Sequence, residues 1–194
     1  MVMKKLFLAG LIGCLLVNPL MMGATAASKQ NSLKLTTSLG FGILLEYERA
    51  LTNQDTIFVE YGGFPSFTYE DEAIFQKVSL DQGTSYGIGL RHYFADRFVG
   101  FYVGASYNHI DIDYTTEFTL LSIQEEDSVS WSGPMLELGY DFMFFDTVTT
   151  GFRLRGGYGK LSGTYPDLPQ FDSLPESDWV SYFSADWKVL GLVF

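Results

Sequence analysis

Apolar and polar side chains alternate with period two along most of the chain after residue 30. In Pro134–Phe145, for example, Leu136 and Leu138 share one face, while Glu137 and Gly139 share the other. Strict alternation indicates β-strands, because successive side chains of a strand point to opposite faces. One face is apolar and aromatic throughout, and the other carries glycine and charge. The sequence therefore predicts an all-β protein whose sheet has two very different surfaces.

Seven segments show this alternation, and each is close to the ~9–11 residues that a tilted strand needs to cross a bilayer. They are Gly42–Arg49, Thr56–Gly62, Ser85–Phe94, Phe98–Asp111, Pro134–Phe145, Gly151–Lys160 and Trp179–Phe194. Single-chain bacterial barrels have an even number of strands. Asn31–Ser38, followed by a tight turn at Leu39–Gly42, is the only segment that supplies the eighth. We therefore predict an antiparallel up-and-down transmembrane β-barrel of eight strands.

Charged residues recur on the glycine-bearing face and predict a structural network inside the barrel. Its predicted members are Glu46, Glu48, Glu60, Arg91, Glu137, Asp141, Arg153 and Arg155. Eight strands enclose a space just wide enough for side chains to fill. This favours a sealed interior over a continuous channel, with the aromatic face turned to lipid.

Short and long connections alternate along the chain. The short ones are Ala50–Asp55, Ala95–Arg97 and Asp146–Val148, and the long ones are expected near Phe64–Thr84, Ile112–Val129 and Leu161–Asp178. Outer-membrane barrels have short periplasmic turns and long external loops. The long connections hold much of the acid, so they predict an acidic external rim. Trp131 and Trp179 lie where strands are expected to meet these loops, as interfacial anchors do.

The first 27 residues predict a cleaved signal peptide, with Lys4 and Lys5 before an apolar stretch and small residues at Gly23–Ala27. The domain expected after cleavage is residues 28–194. A lipobox-like sequence ending at Cys14 leaves lipidation of that residue as an alternative. Cys14 is the only cysteine, so cleavage removes thiol and disulfide chemistry.

Cleavage removes two lysines and takes the formal net charge from −11 to −13. Nucleic-acid binding needs basic patches, so this acidity argues against such partners. Charged residues make up only 18% of the chain while aromatic residues reach 16%. Aromatic girdles around a barrel account for that combination.

The segments Leu44–Leu51, Tyr86–Phe94, Gly100–Tyr107 and Leu136–Phe142, with the terminal Phe194, resemble the small eight-stranded outer-membrane barrels. That family includes the OmpA transmembrane domain and OmpX, and the uncharacterised outer membrane protein beta-barrel domains are similar. The resemblance implies a monomer in the bacterial outer membrane, in contact with its lipid and lipopolysaccharide. It also implies that the barrel-assembly machinery reads Phe194 as its signal. Because the apolar parity changes along the last strand, we expect a β-bulge near Val189–Gly191.

No set of residues in the sequence indicates catalysis, a cofactor or a metal ion. His92 and His109 are the only histidines, and no nucleophile and acid are spaced to join them. Asp111 and Asp113 fall far short of a calcium loop. We therefore expect no enzymatic activity, and an envelope-structural or surface-interaction role presented by the acidic loops. The alternatives are a narrow channel or transporter of small hydrophobic solutes, a lipid-modifying outer-membrane enzyme, and a secreted soluble barrel with an apolar pocket.

Overall fold

The computed structural model describes residues 29–71, 76–118, 123–163 and 177–194, and these form a closed antiparallel barrel. The predicted signal peptide and Cys14 lie outside the described residues. The strands are β1 Asn31–Ser38, β2 Gly42–Ala50, β3 Asp55–Phe64, β4 Phe67–Asp71, β5 Gln76–Tyr93, β6 Gly100–Phe118, β7 Ile123–Phe144, β8 Val148–Gly163 and β9 Ser177–Val193.

Neighbouring strands pair in chain order, and β1 closes the barrel by pairing with β9 as well as with β2. Both β3 and β4 pair with β5, one after the other, so together they form one wall position interrupted at Pro65 and Ser66. The barrel therefore has eight wall positions, which confirms the predicted strand number. The short polar segment Asn31–Ser38 is the first strand, as predicted.

Two of the predicted long loops are wrong over most of their length, because the strands continue through them. β4 and the first half of β5 occupy much of Phe64–Thr84, and β6 and β7 stay paired as far as Phe118 and Ile123. At roughly 3.3 Å per residue, the part of β6 beyond Asp111 adds on the order of 20 Å of strand. Antiparallel pairing satisfies this backbone without a loop. Most of the third predicted loop lies outside the described residues.

A β-bulge lies in β9 beside the C-terminus. Leu35 of β1 pairs with Leu190, whereas the next residue, Thr36, pairs with Lys188, which leaves Val189 as the extra residue. Val189 and Leu190 are consequently both exposed on the outer face. The bulge is at the predicted position. Because of the extra residue, Leu192 and Phe194 point outward, on the same face as Phe183 earlier in the strand.

The charged and glycine-bearing face of the sheet points inward, as predicted from its charges. Large apolar side chains cover the outside, from Leu45 and Tyr61 through Leu138 and Leu154 to Leu192, while charged side chains are buried inside. This is the reverse of a soluble barrel with an apolar pocket. Among the described residues, no helix is long and apolar enough to cross a membrane. A closed sheet with a continuous apolar outer belt satisfies its whole backbone internally, as a lipid environment requires.

A charge placed in the middle of this outer belt tests the lipid-facing assignment. We expect Leu138→Arg to lower the free energy of unfolding in lipid vesicles by about 2–4 kcal/mol, the cost of an arginine near the midplane. Leu39→Arg is the matched control, because Leu39 is exposed in the tight turn between β1 and β2. This turn lies at the end of the barrel opposite the C-terminus, which is the external end in the predicted orientation. The substitution should change the free energy of unfolding little. Urea titration followed by tryptophan fluorescence measures both, and equal effects at the two positions would contradict the assignment.

Candidate functional site

The interior of the barrel holds a network of paired charges. All eight predicted members, from Glu46 to Arg155, lie on the inward face and are at most 4% exposed. The structure adds Lys34, Asp186 and Lys188 to the same network. A buried charge without a partner costs several kcal/mol, so the positions of these groups depend on one another.

Arg91 connects β5 to the strands on either side of the barrel. Its Nη1 and Nη2 donate to the two carboxylate oxygens of Glu46 at 2.6 and 2.7 Å. Its Nε donates to Glu137 Oε1 at 2.9 Å, and its Nη1 also reaches Glu48 Oε2 at 3.0 Å. The fork of Arg91 is thus used bidentately, the geometry in which a guanidinium pair is strongest.

Arg153 lies across from Arg91 and contacts four carboxylates. Its Nε donates to Asp186 Oδ2 at 2.7 Å, and its Nη2 donates to Glu60 Oε2 at 2.9 Å. Its Nη1 donates to Glu46 Oε2 at 2.9 Å and to Glu137 Oε2 at 3.1 Å. Arg153 therefore ties together four strands, β2, β3, β7 and β9, from its own position on β8.

Arg155 extends the network one step toward the external end. It donates to Glu60 Oε1, and its Nη2 lies 2.8 Å from Asp186 Oδ2. Its guanidinium carbon lies 4.0 Å from the centre of the Phe41 ring. A cation over an aromatic face is attracted to it, so Phe41 both covers and stabilises this end of the network.

Asp141 is the centre of the periplasmic layer. It accepts hydrogen bonds from Lys188 Nζ at 2.8 Å and from Lys34 Nζ at 2.9 Å. The Tyr93 hydroxyl lies 3.0 Å from both Asp141 and Glu48, and Lys34 also donates to Glu48. Two lysines and two carboxylates therefore balance each other within a single layer.

Aromatic rings fill space between the interior charges, and inward-facing glycines leave room for those rings. The Phe58 ring lies 3.8 Å from the Arg91 guanidinium carbon, and the Tyr102 ring lies 4.4 Å from Lys188 Nζ. A Cβ at Gly139 would lie 2.3 Å from Tyr102, so only glycine at this position leaves room for that ring. Packing of this kind leaves the charges surrounded by protein atoms.

Apolar clusters close the network at both ends. The external cluster contains Phe41, Leu44, Ile110, Trp131 and Met135, and the periplasmic cluster contains Phe98, Met143 and Val193. The expectation that Trp131 is an interfacial anchor is wrong, because its side chain points inward and is 4% exposed. Parity explains this: Trp131 shares the face of Glu137 and Asp141. Trp179 is exposed on the outer face.

The turn between β5 and β6 inserts Phe98 into the periplasmic end. Phe98 has a φ of 65°, a conformation that a bulky residue adopts only when its surroundings impose it. Arg97 holds the turn: its Nε donates to the Lys29 carbonyl at 2.8 Å, and its Nη1 donates to the Thr52 carbonyl at 3.2 Å. This turn thus clamps the start of β1 and the β2–β3 turn while Phe98 covers the charged layer.

The sequence prediction missed Lys34, Asp186 and Lys188. A signal for the last two was present, because both break the apolar parity of the final strand and share the face that carries charge elsewhere. Lys34 lies in the most polar of the predicted strands, where threonine and serine hide the alternation. Each of the three pairs with a member that was predicted.

Both histidines lie outside the interior network. His92 Nδ1 is 2.8 Å from Asp55 Oδ1 at the periplasmic rim, and His109 Nε2 is 2.7 Å from Asp111 Oδ2 on the outer face. Ser132 is the cross-strand partner of His109 on β7. The structure therefore brings a serine and an acid beside His109, a proximity that sequence spacing did not reveal.

Metal-binding geometry is not present in the part of the chain that the structure describes. Within residues 29–71, 76–118, 123–163 and 177–194, no three histidine, cysteine or acidic side chains are grouped to hold an ion. Asp111 and Asp113 both lie on the regular strand β6 rather than in a loop.

No protein-family model matches the sequence, and no curated protein matches it either. Solved structures that are similar include the N-terminal β-barrel domain of Pseudomonas aeruginosa OprF, with 15% identity and a TM-score of 0.45 over 86% of this chain and 98% of that one. Acinetobacter baumannii CarO2 has 12% identity and a TM-score of 0.47 over 86% and 99%. Yersinia pestis Ail has 10% identity and a TM-score of 0.44 over 84% and 93%.

Removing Arg153 tests the interior network. We expect Arg153→Ala to lower the free energy of unfolding by about 3–5 kcal/mol, because four buried carboxylates lose a shared cation. The measurement is urea unfolding of the refolded barrel in vesicles.

Arg49→Ala removes the same side chain from an exposed position on β2 and is the matched control. Its effect should stay below about 1 kcal/mol, as for exposed charges in general. An Arg153 variant as stable as this control would mean that the network contributes no net stability.

Substitution of His109 or Ser132 tests whether the group formed by His109, Asp111 and Ser132 has a catalytic function. We expect cells that express His109→Ala or Ser132→Ala to have the same acyl pattern in their envelope lipids as cells that express the unchanged chain. Mass spectrometry of extracted lipids, with cells lacking the protein as reference, measures this. A change in the acyl pattern that occurs with the unchanged protein, but with neither variant, would show that the protein is an enzyme.

Proposed function

We propose that the chain is an integral barrel of the bacterial outer membrane, sealed and without enzymatic activity, whose role is exerted at its external surface. The observation that supports this most directly is the filled interior. Paired charges occupy the middle of the barrel, and an apolar cluster lies at each end. Packing of this kind among the described residues argues against a water-filled path for solutes.

The external end carries the surface through which such a protein acts. β5, β6 and β7 continue beyond the barrel as a paired sheet, on which Asp81, Asp113 and Glu126 are exposed. Acidic side chains fixed on paired strands keep a defined spacing. We propose that this acidic sheet extension contacts basic groups outside the cell.

Contact with membrane lipid and lipopolysaccharide, and assembly by the barrel-assembly machinery, follow from the same proposal. Phe194 is exposed on the outer face, and its carbonyl accepts hydrogen bonds from the amides of Gln30 and Asn31. The C-terminal residue thus secures the seam between β1 and β9 while its ring faces outward.

A sealed interior predicts no conductance. We expect planar bilayers containing the folded protein to show no steady ion current, and liposomes containing it to take up no small sugars. A large general porin reconstituted in parallel is the positive control. Steady current through the unchanged protein would favour the narrow-channel alternative.

Neutralising the acidic extension tests the surface-interaction role. We expect the double variant Asp113→Asn, Glu126→Gln to bind immobilised polylysine more weakly than the unchanged barrel, with a smaller dependence on salt, because fewer counterions are displaced. The same measurement on Asp96→Asn, Asp146→Asn, in the periplasmic turns, is the control for net charge. Equal loss in both variants would mean that the extension has no special role.

A further inference from the structure

One stripe of the outer surface combines a cation, an aromatic pair and an open space. It follows alternate residues of β8, from Gly156 through Tyr158 to Lys160, with their neighbours on β7 and β9. β8 runs from the periplasmic turn to the external end, so Lys160 lies at the external limit of the apolar belt. Phosphate groups of the outer leaflet occupy this level of a membrane.

Lys160 is exposed, and its cross-strand partners are Ser132 on β7 and Trp179 on β9. Neither partner is an acid, although the chain as a whole is strongly acidic. One step further out, the Ser130 and Ser162 hydroxyls lie 3.0 Å apart. The cation is therefore placed among hydroxyl groups, which hydrogen-bond readily to phosphate and to sugar.

Tyr158 and Trp179 form a stacked pair directly below this polar band. Their ring centroids are 5.5 Å apart, with 21° between the planes. Both side chains are 54% exposed. A flat aromatic surface next to a cation suits the apolar face of a sugar ring. A simple phosphoglycerol headgroup has no sugar ring.

Gly156 opens a space in the apolar belt below the aromatic pair. A Cβ at this position would meet only one atom within 4 Å, Phe183 Cδ2 at 3.8 Å. Its cross-strand partners, Leu136 and Phe183, are 72% and 68% exposed and stand above the surface on either side. The result is an open space in the outer surface with a large apolar side chain on either side.

We infer that this stripe is a binding site for a phosphorylated glycolipid of the outer leaflet. Lys160 binds the phosphate, the Tyr158–Trp179 pair contacts the sugar, and an acyl chain lies in the open space over Gly156. Two observations support the assignment. The positive charge of Lys160 complements a phosphate, and all three parts are aligned along one strand. It rests on the proposed outer-membrane location, and it gives the lipid contact of that proposal a specific position.

The test is native mass spectrometry of the folded barrel, released from detergent that contains either diphosphorylated lipid A or phosphatidylglycerol. We expect the unchanged protein to retain lipid A more strongly than phosphatidylglycerol. Lys160→Gln removes the phosphate contact and should reduce lipid A retention about tenfold. Gly156→Leu fills the open space, and it should reduce retention with no change in charge.

Two matched variants control for charge and bulk. Arg49→Gln removes an exposed base at the other end of the barrel, and Ala105→Leu adds three of the four carbon atoms that Gly156→Leu adds, in the outer belt on the far side of Leu136. Both should retain lipid A as the unchanged protein does. Retention that is insensitive to Lys160→Gln, or equal retention of the two lipids, would overturn the inference.

Each variant is first checked for a folded barrel by its migration on an unheated gel. Folded protein that retains no lipid A refutes this site and leaves the proposed barrel function standing. Failure of the unchanged chain to fold into a membrane barrel refutes the proposed function itself.

Discussion

Arg153 makes the contacts on which most of this structure depends. It is fully buried and bonded to carboxylates from four other strands. A lipid exterior offers polar groups no partners, so they are confined to the interior of the barrel. Eight strands enclose a space without room for bulk water. Six carboxylates and five bases must then neutralise one another, and the described network comes within one charge of doing so.

This pairing also determines where function can reside. An interior that is tied together by arginine forks, and covered at each end by Phe41 and Phe98, is unsuited to solute passage. The outer belt is committed to lipid contact. The proposed role is therefore placed at the external end, where β6 and β7 continue as an acidic sheet, and the proposed lipid site on the outer face of β8. Both surfaces are held by regular strand pairing, so they are presented in fixed geometry.

Much of the fold could be predicted because alternation is strict wherever one face meets lipid and the other meets charge. The residues from Glu46 to Arg155 were found from parity alone. Prediction failed where parity carries less information. Beyond the membrane both faces of a strand meet water, so the extensions of β4 to β7 appeared as loops. Lys34 was missed because its strand is polar on both faces, and Trp131 was misplaced because aromatic residues suit either an interface or an interior.

The proximity of His109, Asp111 and Ser132, and the open space over Gly156, could not be predicted for a different reason. Both depend on the register between strands, which a single sequence does not specify at the level of individual pairs. A shift of two residues between β7 and β8 would keep every side chain on its face and still separate Lys160 from Ser132. The contacts that accompany this register, such as that between Arg153 and Glu46, join residues far apart in the chain.

The most direct test of a lipid-facing, charge-paired barrel is fractionation of cells that express the full chain, followed by gels of heated and unheated outer membranes. The structure predicts a protein in the outer-membrane fraction whose unheated form migrates differently from its heated form, because the closed barrel resists detergent until it is boiled. A soluble protein, with the same migration in both conditions, would contradict the outward orientation of the apolar face and with it the interior network.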